Sequence, residues 1–528
     1  MKYSSIELND LPVEILIYIF KKISNVEVLY SLINTNQLLN QIVRDPIFTS
    51  DLFLLNCFSD GSISSLSNRM LDKFCLQILP DIGDKIKWLN LESSSMERIL
   101  LSTNYSNVCK LGLYGLEIEK AKYLFTEKTY LIDIFKNQIS SLIINITESE
   151  NQKSIKNMIK LVFIHILTIF TKLEYLIFDV TIAFDRLSFF MSPPTIISST
   201  LLELRVSVSA FSDCLYLLDG RFNQLRALYV EIHSIHSSRL TINNKENLPK
   251  LKCFSLHCDY CNVTYDELII PLLHRMLNLE TLDLYLRIEG KLIDGDQLKT
   301  NIINYMLRLN KFIFFIFSTI NLNNQIHLPS NEDIQHTFRE FHDNRIISYV
   351  HYLPKTRIGQ CHIYTYPYQL KYYHDITNSF PGGLFKYVRE ISLYDEYPFE
   401  HEFFIRIQQS FPFMKKLSLN NAKPQKNIFF NQSKNDYQNL SIIKYSHLIQ
   451  LDLHQAHKDY LEEFLLDIKT CLPNNVQIFI PYRPLKNITY NFTRDATRMN
   501  CSKVIYPYSH YLTRLPKHFK DYFLHTYE

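Results

Sequence analysis

The 528-residue sequence predicts an α/β protein, in which a three-helix N-terminal module leads into a long, irregular array of strand-plus-helix units. Three observations predict it. Residues 8–48 hold three short runs of apolar residues at helical spacing. From residue 86 onward an apolar-x-x-apolar-x-apolar pattern, suited to short strands, keeps returning. The stretches between its copies often read as amphipathic helices.

The first helix opens at Pro12, whose missing N–H costs nothing in a first turn. Glu14 lies on the favourable side of the helix dipole. Ile15, Leu16, Ile19, Phe20 and Ile23 then recur at steps of three and four and form one apolar stripe. Ser24 and Asn25 can cap a second helix with Val28, Leu29, Leu32 and Ile33. A third holds Leu38, Leu39, Ile42 and Val43, and Asp45-Pro46 ends the pattern. About 45 residues is close to the lower limit for an independent core, so a partner surface is expected to complete this one.

The run Leu11-Pro12-Val13-Glu14-Ile15-Leu16, followed by Ile19-Phe20, resembles the F-box. That resemblance implies docking of residues 1–50 onto a Skp1-like adaptor that links to a cullin scaffold. It gives the contact to Leu11, Pro12, Leu16, Ile19 and Phe20. Many F-boxes place a Trp in the third helix; none lies between Leu38 and Asp45.

Residues 51–80 read as a linker and entry helix, with a Ser/Gly stretch from Phe58 to Ser65. The middle apolar residue of the recurring pattern then falls at 89, 111, 142, 176, 204, 228, 254, 282, 312, 361, 391, 417 and 451. Most steps are 22–34 residues; the 49-residue jump to 361 implies an insertion near 330–352. Asn262 to Leu277, Glu400 to Phe411 and Lys458 to Leu472 read as helices between strands. Strand plus helix at this period resembles the leucine-rich repeat, which implies a solenoid over residues 81–480. The family's usual Asn or Cys is replaced by Ser94, Thr147, Thr181, Ser209 and Asp259, so the solenoid is expected to be irregular. Residues 481–528, rich in Tyr, Pro and basic residues, are expected to cap it.

In this pattern the first, fourth and sixth positions point inward, and the third, fifth and seventh face the concave surface. The outward set includes Trp88, Tyr114, Tyr175, Tyr229, Glu231, Asp283, Tyr285, Tyr364 and Tyr394. Rigid amphipathic aromatics on one face suit binding of a target protein.

Composition excludes other classes. Lys plus Arg is 56 and Asp plus Glu is 53, so no basic field draws in nucleic acid. Ten glycines argue against Gly-rich phosphate loops. Apolar runs such as Leu161 to Phe170 fall short of the roughly 18–20 residues that span a bilayer. Glu7, Asp10 and Glu14 interrupt any secretory signal, and ten scattered cysteines fit a reduced intracellular setting, cytoplasmic or nuclear. Cys253, His257, Cys258 and Cys261 are the best metal candidate, but Cys253 and His257 four apart on a strand would stand roughly 13 Å apart. His401-Glu402 begins like a zinc-protease helix, yet Ile405 occupies the second His position. The expectation is a non-catalytic, cofactor-free adaptor of a ubiquitin ligase, with a protein-binding scaffold outside any ligase as the alternative.

Overall fold

The computed structural model describes residues 8, 11–58, 62–126, 129–147, 155–181, 185–189, 196–235, 247–262, 265–322, 327–341, 345–426, 441–507 and 518–523. The chain divides into two units, Met1–Arg287 with Lys299–Ile313, and Ile288–Leu298 with Phe314–Glu528. The boundary falls inside the stretch that the sequence presents as one array.

The first unit begins with four helices, α1 (Val13–Phe20), α2 (Asn25–Leu32), α3 (Gln37–Val43) and α4 (Pro46–Thr49). Each start is chemically marked. Pro12 precedes α1, Ser24 and Glu27 form a capping box on α2, Asn36 accepts from Leu39 N–H on α3, and Asp45 caps α4 with Pro46 behind it. Strand β1 (Asp51–Leu54) follows, then a short antiparallel pair, β2 (Asn56–Cys57) and β3 (Ile63–Ser64).

From there the unit is a run of strands that neighbour one another in chain order: β4 (Trp88–Glu92), β5 (Lys110–Glu117), β6 (Ser141–Thr147), β7 (Tyr175–Val180), β8 (Glu203–Ala210), β9 (Ala227–Ile235), β10 (Cys253–Asn262) and β11 (Thr281–Glu289, within this unit as far as Arg287). From β1 to β10 every pairing is parallel. The register aligns Leu52, Leu89, Leu111, Leu142, Leu176, Leu204, Leu228 and Phe254 in one row. Two residues on, Leu54, Leu91, Leu113, Ile144, Phe178, Val206, Val230 and Leu256 form a second row. Both rows are buried. Helix Ile155–Ile169 lies on this face, with Phe163 edge-on to Phe178 at 5.3 Å.

A backbone step repeats before each strand. The carbonyl of Lys87 accepts from the N–H groups of Cys109 and Lys110, that of Cys109 from Ser140 and Ser141, and that of Ser140 from Glu174 and Tyr175. Glu174, Leu202, Arg226, Lys252 and Glu280 continue the series. Every connection therefore enters its strand at the same depth.

In the second unit, β12 (Lys311–Asn321, within this unit from Phe314), β13 (Arg345–Leu353) and β14 (Ile358–Tyr366) are joined antiparallel, in the order β12-β14-β13. This changes the reading of the region. Cys361 lies on β14 opposite Ser318 of β12 and does not continue a parallel row. The described residues within 330–352 include helix Asn331–Thr337 and most of β13. Parallel order then resumes in β15 (Tyr372–Ile376), β16 (Glu390–Tyr394), β17 (Lys416–Asn421), β19 (Gln450–Ala456), β21 (Val476–Phe479) and β22 (Val504–Ile505), with β18 (Ile443–Lys444) and β20 (Thr470–Cys471) as a separate pair. Tyr373, Ile391, Leu417, Leu451 and Ile478 align in one buried row.

The helices read from sequence appear at Tyr265–Leu273, His401–Ser410 and Lys458–Leu465. Residues 263 and 264, within the first of these as read from sequence, lie outside the described residues. Helices Tyr482–Ile488 and Asp495–Cys501 precede β22, so the parallel order reaches past residue 481.

Candidate functional site

Helix α1 carries apolar groups beyond a single stripe: Ile15, Leu16, Ile19 and Phe20 span less than half of its circumference, and Val13 and Tyr18 flank them. One face closes the module. Leu16 is fully buried and Phe20 is 3 % exposed, with its ring edge-on to Phe48 at 6.3 Å. Val28, Leu29, Leu39, Ile42 and Val43 complete that core. Leu16 and Phe20, assigned to the adaptor contact, are thus internal; their i, i+4 spacing puts both on one side of α1, where Phe20 meets Phe48 of α4. Pro12 is exposed, while Leu11 and Ile19 are half-buried. Outside that core, Val13, Ile15, Tyr18 and Ile23 are 40 %, 46 %, 62 % and 44 % exposed. Four large apolar groups within eleven residues are thus left exposed on and just beyond α1.

A second surface is the strand face opposite the buried rows. Phe53 and Trp88 pair at 5.5 Å, and the Lys110 ammonium stands 5.3 Å over the Trp88 ring. Tyr175 is 44 % exposed. Tyr114 is half-buried and its hydroxyl donates to Asn90 Oδ1 at 3.4 Å; burial raises its pKa. Tyr229 lies under the Arg205 guanidinium at 3.9 Å and receives a Cys253 Sγ contact at 3.4 Å. Burial pushes its pKa up as well.

Around Tyr229, residues of β7 to β10 line a hollow of about 340 Å³ that includes Asp179, Arg205, Ser207, Glu231 and His257. Arg205 Nε pairs with Glu203 at 3.1 Å, Arg186 with Glu231 at 2.9 Å, and Asn145 donates to Asp179 at 2.9 Å. Asp283, one strand further, has its pKa raised by burial.

Two of the predicted aromatics are not on a surface. Tyr285 is 5 % exposed because the His257 ring packs edge-on against it at 4.2 Å. Tyr364 is fully buried: it sits on the middle strand of the antiparallel trio, ringed by Phe315, Tyr368, Tyr373 and Phe385 at 5.5–6.3 Å. Tyr394 is half-buried in the second unit.

The second unit holds two buried polar clusters that the sequence did not reveal. In one, His351 Nε2 donates to Asp395 Oδ1 at 3.2 Å, and Nδ1 meets Ser379 Oγ at 2.7 Å. The order matches that of an acyl-transfer relay. Here Asp395 also accepts from Asn378 N–H at 2.8 Å, its amide at 2.9 Å, and Tyr397 N–H at 2.9 Å. The group works as a clasp that ties the loops after β15 and β16 to β13. Burial acts to raise the Asp395 pKa, but the bonds from His351, Asn378 and Tyr397 outweigh it and hold it below the ordinary value. Asp395→Asn should cost about 1–3 kcal/mol in urea unfolding at pH 7. The carboxylate's contribution is complete above about pH 4 and is lost as pH falls through the depressed pKa, so the gap between parent and variant should close in acid.

In the other cluster, His401 Nδ1 donates to Glu463 Oε1 at 2.5 Å and Nε2 to the Ser441 carbonyl at 3.0 Å. Lys469 Nζ adds a second cation, 3.0 Å from Glu463 Oε2. His401 thus serves the core, not a metal. Among the described residues no group of three or more His, Cys, Asp or Glu is placed to hold a metal ion, and the Cys261 side chain lies outside them. Among the same residues no helix is long and apolar enough to cross a membrane. In comparisons with known proteins, the chain matches no family model and no curated protein.

Proposed function

We propose that this protein is the target-holding subunit of a Skp1–cullin–F-box type ubiquitin ligase. The three-helix module docks on a Skp1-like adaptor through Leu11, Pro12 and the outer face of α1. The parallel strand array is read as an irregular leucine-rich-repeat solenoid whose open face holds a protein target. The protein then contributes proximity and orientation, without bond chemistry of its own and inside the cell. The observation that carries the reading is the exposure of Val13, Ile15, Tyr18 and Ile23, on and just beyond a helix whose Leu16 and Phe20 already seal the module.

The test is capture of purified Skp1 by the full chain. Leu11→Ala with Pro12→Ala, and separately Ile15→Asp, should each abolish capture while the circular dichroism spectrum is kept. Undiminished capture by both would overturn the assignment. A scaffold that works outside any ligase is the second reading; co-purification of a cullin with Skp1 separates the two.

A further inference from the structure

In the first unit, the connections that lead into β9 and β10 end in the same turn. Leu225 N–H donates to the Phe222 carbonyl at 3.1 Å, and Leu251 N–H to the Leu248 carbonyl at 3.2 Å. The next connection repeats it, with Leu279 N–H on the Met276 carbonyl at 3.1 Å. There Met276 is fully buried, whereas Leu248 is only half-buried. Between the Phe222 and Leu248 turns lies a pocket of about 270 Å³. Its walls are Leu217, Leu218, Phe222, Leu225 and Leu251, each 5 % exposed or less. Helix Phe211–Leu217 ends at this wall, and Gly220 turns the chain beyond it with a φ of 95°. A Cβ at Gly220 would meet no other heavy atom within 4 Å, so the chain reversal leaves that side open. The rim is polar, with Asn223, Asn247 and Lys250 all exposed. Lys250 Nζ bonds the neutral Gln224 Oε1 at 2.9 Å and has no carboxylate partner among the described residues. The neighbouring carboxylates of Asp219 and Glu280 are already paired, with Arg221 and Lys252.

We propose that this pocket binds a medium-chain aliphatic carboxylic acid, with the chain between the two turns and the carboxylate on Lys250. The site goes beyond the target-holding role and does not rest on it. The chain follows from the walls: a cavity lined by leucine and phenylalanine holds water poorly and favours every methylene it covers. The length follows from volume. A dry cavity of about 150 Å³ takes a six-carbon ring, so 270 Å³ suits roughly ten carbons. The head group follows from charge, because the one ammonium at the rim without a carboxylate partner attracts an anion and repels a cation. A few converging polar groups around an apolar hollow are the usual build of a small-molecule site.

The test is isothermal titration calorimetry of the full chain with decanoate, butyrate and decyltrimethylammonium, all below their micelle concentrations. Decanoate should bind at least tenfold more tightly than either of the others. Lys250→Glu should erase its advantage over the cation. Asn223→Trp, which sets an indole across the rim, should weaken decanoate at least tenfold. Both residues are exposed, so the circular dichroism spectrum of each variant should match the parent's. A lipid surface could offer the same chain and charge, so flotation with phosphatidate vesicles is run beside the titration; it should not depend on Lys250. Equal binding of the two ten-carbon ligands, undiminished decanoate binding by Asn223→Trp, or flotation that is lost in Lys250→Glu overturns the proposal. The assay needs no Skp1, so its result is independent of adaptor capture.

Discussion

Glu463→Gln should lower the stability of the second unit by about 3–5 kcal/mol, the usual cost of removing one partner from a buried ion group. Glu463 is fully buried, and the change leaves His401 and Lys469, 4 % and 8 % exposed, with a neutral amide where a carboxylate stood. Gln425, which donates to Glu463 Oε2 at 3.3 Å, is left to share one remaining oxygen with His401 and Lys469. Acidity supplies an independent signature. For His401, burial lowers the pKa, but the bond and charge of Glu463 outweigh that and raise it. Its share of stability is complete below the ordinary imidazole pKa of about 6.5 and fades as pH rises through the raised one. For Glu463, burial raises the pKa, but His401 and Lys469 outweigh it and lower it. That share is complete above the ordinary carboxylate range and fades as pH falls through the lowered value. Denaturant titrations across pH should therefore show a plateau at intermediate pH in the parent. In the variant the plateau should be lower and its alkaline edge should move toward the ordinary imidazole range; an unchanged profile would refute the ion-group account.

Phe178→Ala should cost about 3–5 kcal/mol, the typical penalty for emptying a buried aromatic site. Phe178 lies between Ile144 and Val206 in the second buried row and meets Phe163 of the covering helix. Tyr175→Ala, three residues earlier on the same strand, should change stability by less than about 0.5 kcal/mol because its ring is 44 % exposed. The two measurements together check which side of the strand carries the core. Similar losses at both positions would mean that the outer face is covered as well.

The sequence made the parallel rows legible because each strand there offers apolar groups at two fixed positions, and parallel register stacks like on like. It concealed strands wherever one position departs. Tyr373 aligns with Ile391, yet its pattern fails two residues on at Asp375, which has a left-handed φ of 55°. A register shift there brings Ile376 opposite Leu393 instead. Leu52 aligns with Leu89, but polar Thr49 holds the leading position. Strand direction has no local signal, so Cys361 passed for another parallel member. On α1, spacing identified the apolar residues but not which of them the module keeps for itself; packing such as that of Phe20 on Phe48 of α4 decides that. The buried clusters at Asp395 and Glu463 join groups 44 and 62 residues apart, beyond the reach of any motif.

The carbonyls of Lys87, Cys109, Ser140, Glu174, Leu202, Arg226, Lys252 and Glu280 each accept from the next connection alone. Such a ladder has no long-range keystone. Excising one whole rung would present the following pair of N–H groups to a carbonyl in the same posture, and duplicating one would do the reverse. Whole steps can thus be added or removed with the backbone ladder kept, while side-chain bonds that bridge steps, such as Arg275 to the Leu218 carbonyl and Arg186 to Glu231, must be refitted.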